Sequence, residues 1–537
     1  MDALMQDAPL CLQTVLRRAE SVFGAKIVST AASDGLRRAS FGEVCGRARR
    51  LISALRSLGV KPGDRVATFA WNNQPHVELY LAVPAMGAVL HPLNIRLDPA
   101  QVAWIAGHAG DSVVFVDESL RSEWDAVGDV PGLREVVWIG AGHDDDPYEM
   151  LLSAHAEASD LEPVDERSAA AICYTSGTTG DPKGVVYTHR SATLHAASLL
   201  FADTLGLSER DSCLALVPQF HVAGWGLPWA ACLAGADLVL PGRFLDPPSL
   251  AGLIADTGVN VSAGVPTVWL AMADAVRDGT VDAAQLKSLR RILCGGAAVS
   301  PHLLAAYDDL DIEIVQAWGM TETGVTTASR MRSTRLGEDS LDVRSRQGTP
   351  LPLMEVRIVA DDGHEAPWDG STPGELQASG PWATDAYFDP GAPGGRGFQE
   401  QFTTDELGRR WLKTGDVATI EPDGVVRIVD RTKDLIKSGG EWISSVELES
   451  LLLGHPEVAE VAVVAIPDPR WSERPLACVV PRNADDPPPP GELVDYLAAH
   501  VPRWQLPDRV EFVDAIPKTS VGKLDKKKLR HQFSPSE

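Results

Sequence analysis

Short apolar runs punctuate the first half of this chain and restrict its fold more than any other feature. They are "RVATFAWNN" (65–73), "DSVVFVD" (111–117), "REVVWIG" (134–140), "DSCLALVPQF" (211–220), "ADLVLPG" (236–242) and "VNVSAGVP" (259–266). Each is long enough for a buried strand and too short for a helix, and helical periodicity fills the intervals. Residues 12–23, for example, place Leu12, Val15, Leu16, Ala19 and Phe23 on one helical face. Such strands alternating with helices predict an α/β fold of parallel-rich sheets covered on both faces.

Past about residue 350 the pattern changes. "MEVRIVADDG", "GELQASG" and "RRWLKTGDVATIEPDGVVRIVDR" are short strands with Asp-Gly turns, and they predict a smaller β subdomain. Beyond Asp430 the order is helix "SSVELESLLLGH", strand "VAEVAVVAIP", strand "LACVVP" and helix "GELVDYLAAHV". The proline-rich "RNADDPPPPGE" (482–492) between them reads as a surface loop. A chain of 537 residues exceeds the reach of one core. The expected division is a large N-terminal domain over 1–430, a linker at 431–433, and a small α+β C-terminal domain over 434–537.

A formal net charge of −26 argues against nucleic acid as a partner, because phosphate neutralisation needs clustered Lys and Arg. It leaves room for a small anionic substrate, since local charge can oppose the overall sign. The seven cysteines are scattered and form no C-x-x-C pair, which predicts a reducing cytoplasm and no disulfide framework. The N-terminal "MDALMQDAPL" is acidic and unlike a signal peptide, and no apolar run is long enough to span a membrane.

The stretch "YTSGTTGDPKGV" (174–185) suits neither helix nor central strand. Its glycines would let backbone N–H groups approach a phosphate, its hydroxyls add donors, and Lys183 adds a charge. It is not a Walker loop, because Lys183 follows Pro182 and precedes Gly184 where that pattern needs Gly-Lys-Ser/Thr. Six further stretches follow in order: "VPQFHVAGWG" (217–226), "LCGGAAVS" (293–300), "QAWGMTETG" (316–324), "KTGD" (413–416), "DRTKDLIKSGGEWIS" (430–444) and "PKTSVGKLDKKKL" (517–529).

Together these motifs resemble the adenylate-forming superfamily, specifically its acyl-CoA synthetases, over about residues 12–530. "VPQFHVAGW" is similar to the bacterial medium- and long-chain fatty-acyl subgroup. The resemblance implies a carboxylic acid, ATP and CoA as substrates and Mg²⁺ as cofactor. The acid would attack the α-phosphorus, release pyrophosphate, and pass as an acyl-adenylate to the CoA thiol. Thr175, Ser176, Gly177, Thr178, Thr179, Gly180 and Lys183 would hold the triphosphate. Thr321 would bind the α-phosphate, and Glu322 would ligate Mg²⁺ with Thr175 as a second candidate. Gly296, Gln316, Ala317 and Trp318 would line the adenine side, and Asp416 and Arg431 the ribose. Lys523 matches the adenylation lysine, which offsets repulsion between the acid and the α-phosphate.

The family rotates its small domain between the two half-reactions. Lys433 matches the hinge. Ser438, Gly439, Gly440 and Glu441 would face CoA after rotation, with Lys437 and Trp442 also reaching the nucleotide. His221 matches a wall of the acyl pocket rather than a base, while Trp225 reads either as a gate over that pocket or as core packing. Lys526, Lys527 and Lys528 read as a solvated basic tail. A homodimer through the N-terminal domain is also implied.

Within the superfamily the alternatives are an aryl acid or a short sulfur-containing acid such as 3-methylmercaptopropionate. An amino-acid-adenylating module is disfavoured, because "QFHVAGWG" is mostly apolar and lacks an Asp for an amino group. A luciferase-like oxygenase shares the pattern, but no residue calls for it. A degenerate nucleotide-binding protein is disfavoured by the presence of Lys183, Glu322, Asp416 and Lys523 together.

Overall fold

The computed structural model describes residues 4–140, 146–175, 181–329, 340–519 and 523–533. Two large mixed sheets build the N-terminal part. The first has six parallel strands, Ile27–Ala32, Asp237–Leu240, Ser212–Ala215, Val261–Gly264, Arg291–Gly295 and Glu313–Met320, with antiparallel strands at both margins. The second has five parallel strands, Glu135–Ile139, Asp111–Asp117, Arg65–Phe69, Val89–Pro92 and Ala169–Tyr174, and antiparallel Gly184–Thr188 follows the last of them. The apolar runs of the sequence become these strands, and helices cover their faces.

Local signals set the helix ends. Ser40 and Glu43 close a capping box at the start of Phe41–Ser57. The first helix runs Leu12–Ser21 and buries Leu12, Val15, Leu16 and Ala19. Phe23 lies beyond its end and packs on the same core from the following turn. Among the described residues, no helix is long and apolar enough to cross a membrane.

An antiparallel sheet of Glu355–Val359, Gly374–Ser379, Arg410–Ile420, Phe402–Thr404 and Val426–Arg431 follows. A fourth sheet joins Glu441–Ile443, Ile436–Ser438, Ser472–Pro481 and Val458–Asp468, with Arg509–Phe512 parallel to Ser472–Pro481. The chain passes from the third sheet to the fourth between Arg431 and Ile436.

The basic tail differs from expectation at one lysine. Lys526 is buried on the helix Lys526–Phe533, on the face that carries buried Leu529. Its ammonium lies 2.7 Å from Glu449 Oε1 and donates to Ser445 Oγ at 2.7 Å. The adjacent Lys527 and Lys528 are exposed, as expected.

Candidate active site

A cavity of about 570 Å³ lies where the two large sheets, the third sheet and the C-terminal segment meet. Of the predicted residues it gathers Thr175, Lys183, His221, Trp225, Gly296, Ala317, Trp318, Thr321, Glu322, Arg431, Lys433 and Lys523. Ser176, Gly177, Thr178, Thr179 and Gly180 lie outside the described residues.

The hairpin that carries the Gly/Thr loop fixes its two ends. Tyr174 pairs with Gly184, and the Thr175 N–H donates to the Lys183 carbonyl at 2.9 Å. The Lys183 ammonium stands 4.3 Å from the Phe398 ring centroid and 5.0 Å from that of Tyr387.

The Thr321–Gly324 loop joins Glu313–Met320 to Gly324–Ala328 and is clamped from behind. Tyr187 Oη donates to the Thr321 carbonyl at 2.6 Å, and Tyr387 Oη donates to Glu322 Oε1 at 2.6 Å. Burial and the neighbouring Glu322 keep the Tyr387 phenol protonated by raising its pKa far above the usual range. The Val325 N–H donates to His195 Nε2 at 3.0 Å. Gly324 has φ +54°, and a Cβ there would lie 2.6 Å from that same Nε2, so the imidazole requires glycine at this turn.

Asp416 accepts from Trp318 Nε1 at 2.9 Å and pairs with Arg431 Nε at 2.9 Å. These two residues face each other across adjacent strands of the third sheet. Lys523 enters from the C-terminal segment. Burial first, then Arg431 and Lys433, outweigh the opposing Asp416 and Glu322 and together lower its pKa to about 8. His221 is held down to about 3, by burial first and by Lys523 second, so its imidazole is neutral and suits a wall rather than an acid. A lysine with its pKa depressed in this way beside Arg431 and Lys433 in a cavity marks a candidate functional site.

The apolar side is built on a strained turn. Val222, Ala223 and Trp225 take φ values of +47°, +45° and +52°, with Gly224 and Gly226 also in the left-handed region. This turn lays the Trp225 indole against Gly295 and Gly296, where added Cβ atoms would lie 3.3 and 3.7 Å from the ring. A Cβ at Gly296 would also lie 3.8 Å from Lys523 Cε. At Gly296 these are ordinary contacts, and it is its φ of +84° that favours glycine; at Gly295 a Cβ would clash with the Ala317 carbonyl oxygen.

Several predicted residues stand outside the cavity lining. Gln316 is buried within its strand, its N–H given to Ser329 Oγ at 2.8 Å. Asp416 is buried behind Trp318 and Arg431. Lys437, Ser438, Gly439, Gly440, Glu441 and Trp442 form a hairpin of the fourth sheet. Lys437 and Trp442 are exposed there, and Ser438 Oγ accepts from Arg474 Nη1 at 3.0 Å. Sequence reasoning missed Tyr387 and His195, which lie in none of the seven motifs. It also missed the cavity-lining Phe220, although that residue stands inside a quoted motif.

Comparison with known proteins agrees with this geometry. Residues 18–388 match the family described as AMP-binding enzyme, and 447–523 match the AMP-binding enzyme C-terminal domain. The chain is 44% identical to a long-chain-fatty-acid–CoA ligase of Thermus thermophilus, over 98% of this chain and 96% of that one. It is 39% identical to a 3-methylmercaptopropionyl-CoA ligase of Ruegeria lacuscaerulensis, over 98% of both. The fold superimposes on an anthranilate CoA ligase solved with anthranoyl-AMP at a TM-score of 0.85 and 25% identity, over 99% of each chain. A Mycobacterium tuberculosis fatty acyl CoA synthetase superimposes at 0.72 and 28% identity, over 98% of this chain and 99% of that one. On sequence, fold and the residues gathered at its cavity, the chain belongs to the AMP-binding enzyme family, among the AMP-forming acyl-CoA ligases.

Proposed function

We propose that this enzyme activates a fatty acid through an acyl-adenylate and transfers the acyl group to CoA, releasing AMP and pyrophosphate. The observation that carries the reading is Lys523 held beside Gly296, with its pKa depressed among Arg431, Lys433, Asp416 and Glu322. Its ammonium would offset the repulsion between the acid's carboxylate and the α-phosphate. Thr321 would donate to the same phosphate, Thr175 and Lys183 would meet the β- and γ-phosphates, and Asp416 with Arg431 would hold the ribose. Trp318 and Ala317 would flank the adenine, while His221 and Trp225 would line the acyl chain. Much of the rate enhancement would come from preorganised charge and positioning.

Mg²⁺ fits the donor set. Glu322 is a buried carboxylate at the cavity wall, and Thr175 offers a hydroxyl. Mg²⁺ favours one or two protein carboxylates with phosphate oxygens and water. When bound, it would neutralise charge on the phosphates. The domain break would fall at 431–433, and rotation about Lys433 would bring the 437–442 hairpin to the site for CoA transfer. A cytoplasmic homodimer is part of the same proposal.

A second reading is a short sulfur-containing acid. It is favoured by the Trp225 indole, which lies against Gly295 and Gly296 and would shorten the apolar side if it stays there when the acid binds. Pyrophosphate release across a panel of acids, with and without CoA, tests both readings. Medium- and long-chain acids should be preferred, and release confined to 3-methylmercaptopropionate would select the second. Release without any CoA-dependent thioester would overturn the ligase assignment.

A further inference from the structure

Glu322 and Lys183 come from different sheets, yet one side chain touches both. Tyr387 Oη donates to Glu322 Oε1 at 2.6 Å, and the face of the same ring stands 5.0 Å from the Lys183 ammonium. The segment around Tyr387 is itself tied to both loops. Thr384 donates its N–H to the Glu322 carbonyl at 2.7 Å. Phe388 pairs with Gly184, the residue after Lys183. Tyr387 is 5% exposed and packs edge-on against Phe398, which caps Lys183 from a second side. A buried phenol with its oxygen on one carboxylate and its face toward one ammonium leaves neither group free to drift.

We propose that Tyr387 is a positioning residue of the triphosphate site, fixing Glu322 through its hydroxyl and Lys183 through its ring. This rests on the reading above, in which Glu322 meets Mg²⁺ and Lys183 meets phosphate. With Oε1 engaged by the phenol, Glu322 is left Oε2 for a cation, and its orientation is set before nucleotide arrives. Partners that orient a metal ligand are worth roughly 10–100-fold in metal affinity or activity. The two halves of the proposal are separable, because the hydroxyl and the ring can be removed independently.

The experiment uses the full chain, Mg²⁺ and the non-hydrolysable α,β-methylene analogue of ATP, with binding followed by titration calorimetry. Tyr387→Phe keeps the ring and should raise the Mg²⁺ concentration for half-maximal binding by roughly tenfold or more. At saturating Mg²⁺ its Kd for the analogue should equal the parent's. Tyr387→Leu removes the ring as well, and its Kd for the analogue should stay raised even at saturating Mg²⁺. Tyr387→Phe made on Glu322→Gln should add nothing to the Mg²⁺ response, and this cycle holds even if the single variants lose some stability. Additive effects in the cycle, or an unchanged Mg²⁺ response in Tyr387→Phe, would overturn the role of the hydroxyl. Equal Kd values at saturating Mg²⁺ in the Phe and Leu variants would overturn the role of the ring. If Glu322→Gln alone leaves Mg²⁺-dependent binding untouched, the reading of Glu322 fails instead, and the two failures are told apart.

Discussion

Replacing Lys523 by methionine separates the cost of holding this charge from its use. The substitution keeps most of the side chain's length and removes the ammonium. Burial, Arg431 and Lys433 outweigh Asp416 and Glu322 and bring Lys523 from 10.5 to about 8. At 1.36 kcal/mol per unit this is at most about 3 kcal/mol, and cavity water screens part of it. The sign follows from a depressed folded value. Below about pH 8 both folded and unfolded chains carry the proton, and the folded chain bears the full penalty. Between about 8 and 10.5 only the unfolded chain is protonated, so stability recovers as pH rises.

Lys523→Met should therefore melt above the parent near pH 7, with the gap closing as pH rises through this window. The same variant should lose acid-dependent pyrophosphate release by roughly 10²–10³-fold. Thioester formation from a supplied acyl-adenylate and CoA should persist. Melting curves across pH and the two half-reaction assays check both arms on one preparation. A variant that melts below the parent at neutral pH, or that loses both half-reactions alike, would refute the reasoning.

Glu322→Gln should raise the Mg²⁺ requirement or abolish turnover while the protein stays folded, and coincident Mg²⁺ titrations would exclude it as a ligand. Lys433→Pro fixes φ near −65° at the proposed hinge, so adenylation should survive while CoA transfer falls; a variant with both steps intact would move the pivot elsewhere. Lys526→Ala leaves the buried Glu449 without its partner and should destabilise by about 3–5 kcal/mol, read as a lower melting midpoint. Trp225→Ala should shift preference among acids of different chain length with near-normal melting if the indole is a gate. As core it should cost about 3–5 kcal/mol and weaken all acids alike.

The strands were legible because a strand buried on both faces must be apolar along its whole length. The site was legible where one short motif carries both the chemistry and the turn, as in "QAWGMTETG". What stayed hidden depends on distant pairing. Tyr387 reaches Glu322 and Lys183 only because Phe388 adds to the edge at Gly184, some two hundred residues earlier, and no local pattern announces that. Lys526 was misread because three consecutive lysines look solvated, while the helix turns one of them inward with Leu529. The left-handed turn at 222–226 was half legible. Gly224 and Gly226 permit it, but Val222, Ala223 and Trp225 adopt it against their own preference, which only the surrounding packing can impose.

The charges around the linker would supply a driving force for the proposed rotation of the C-terminal segment. Asp430 belongs to the last strand of the third sheet, yet its Oδ2 accepts from the N–H and Oγ of Ser445, at 2.7 and 2.6 Å, at the start of a C-terminal helix. Asp434, three residues past Arg431, pairs with Arg530 at 2.8 Å. Rotation about Lys433 would keep the Asp434–Arg530 pair within one domain and strain the Asp430–Ser445 contacts that cross the linker. On that reading those contacts would favour the arrangement in which Lys523 enters the cavity. Against them stands the penalty on Lys523, which favours withdrawal of its ammonium into water. Bound acid and triphosphate would cancel that penalty, because their negative charge restores the lysine's preferred state. Loss of pyrophosphate would remove much of that compensation, at the step where the proposed function requires the lysine to leave room for CoA. The penalty on Lys523 is of a few kcal/mol, the range in which one ligand's charge can reverse the balance.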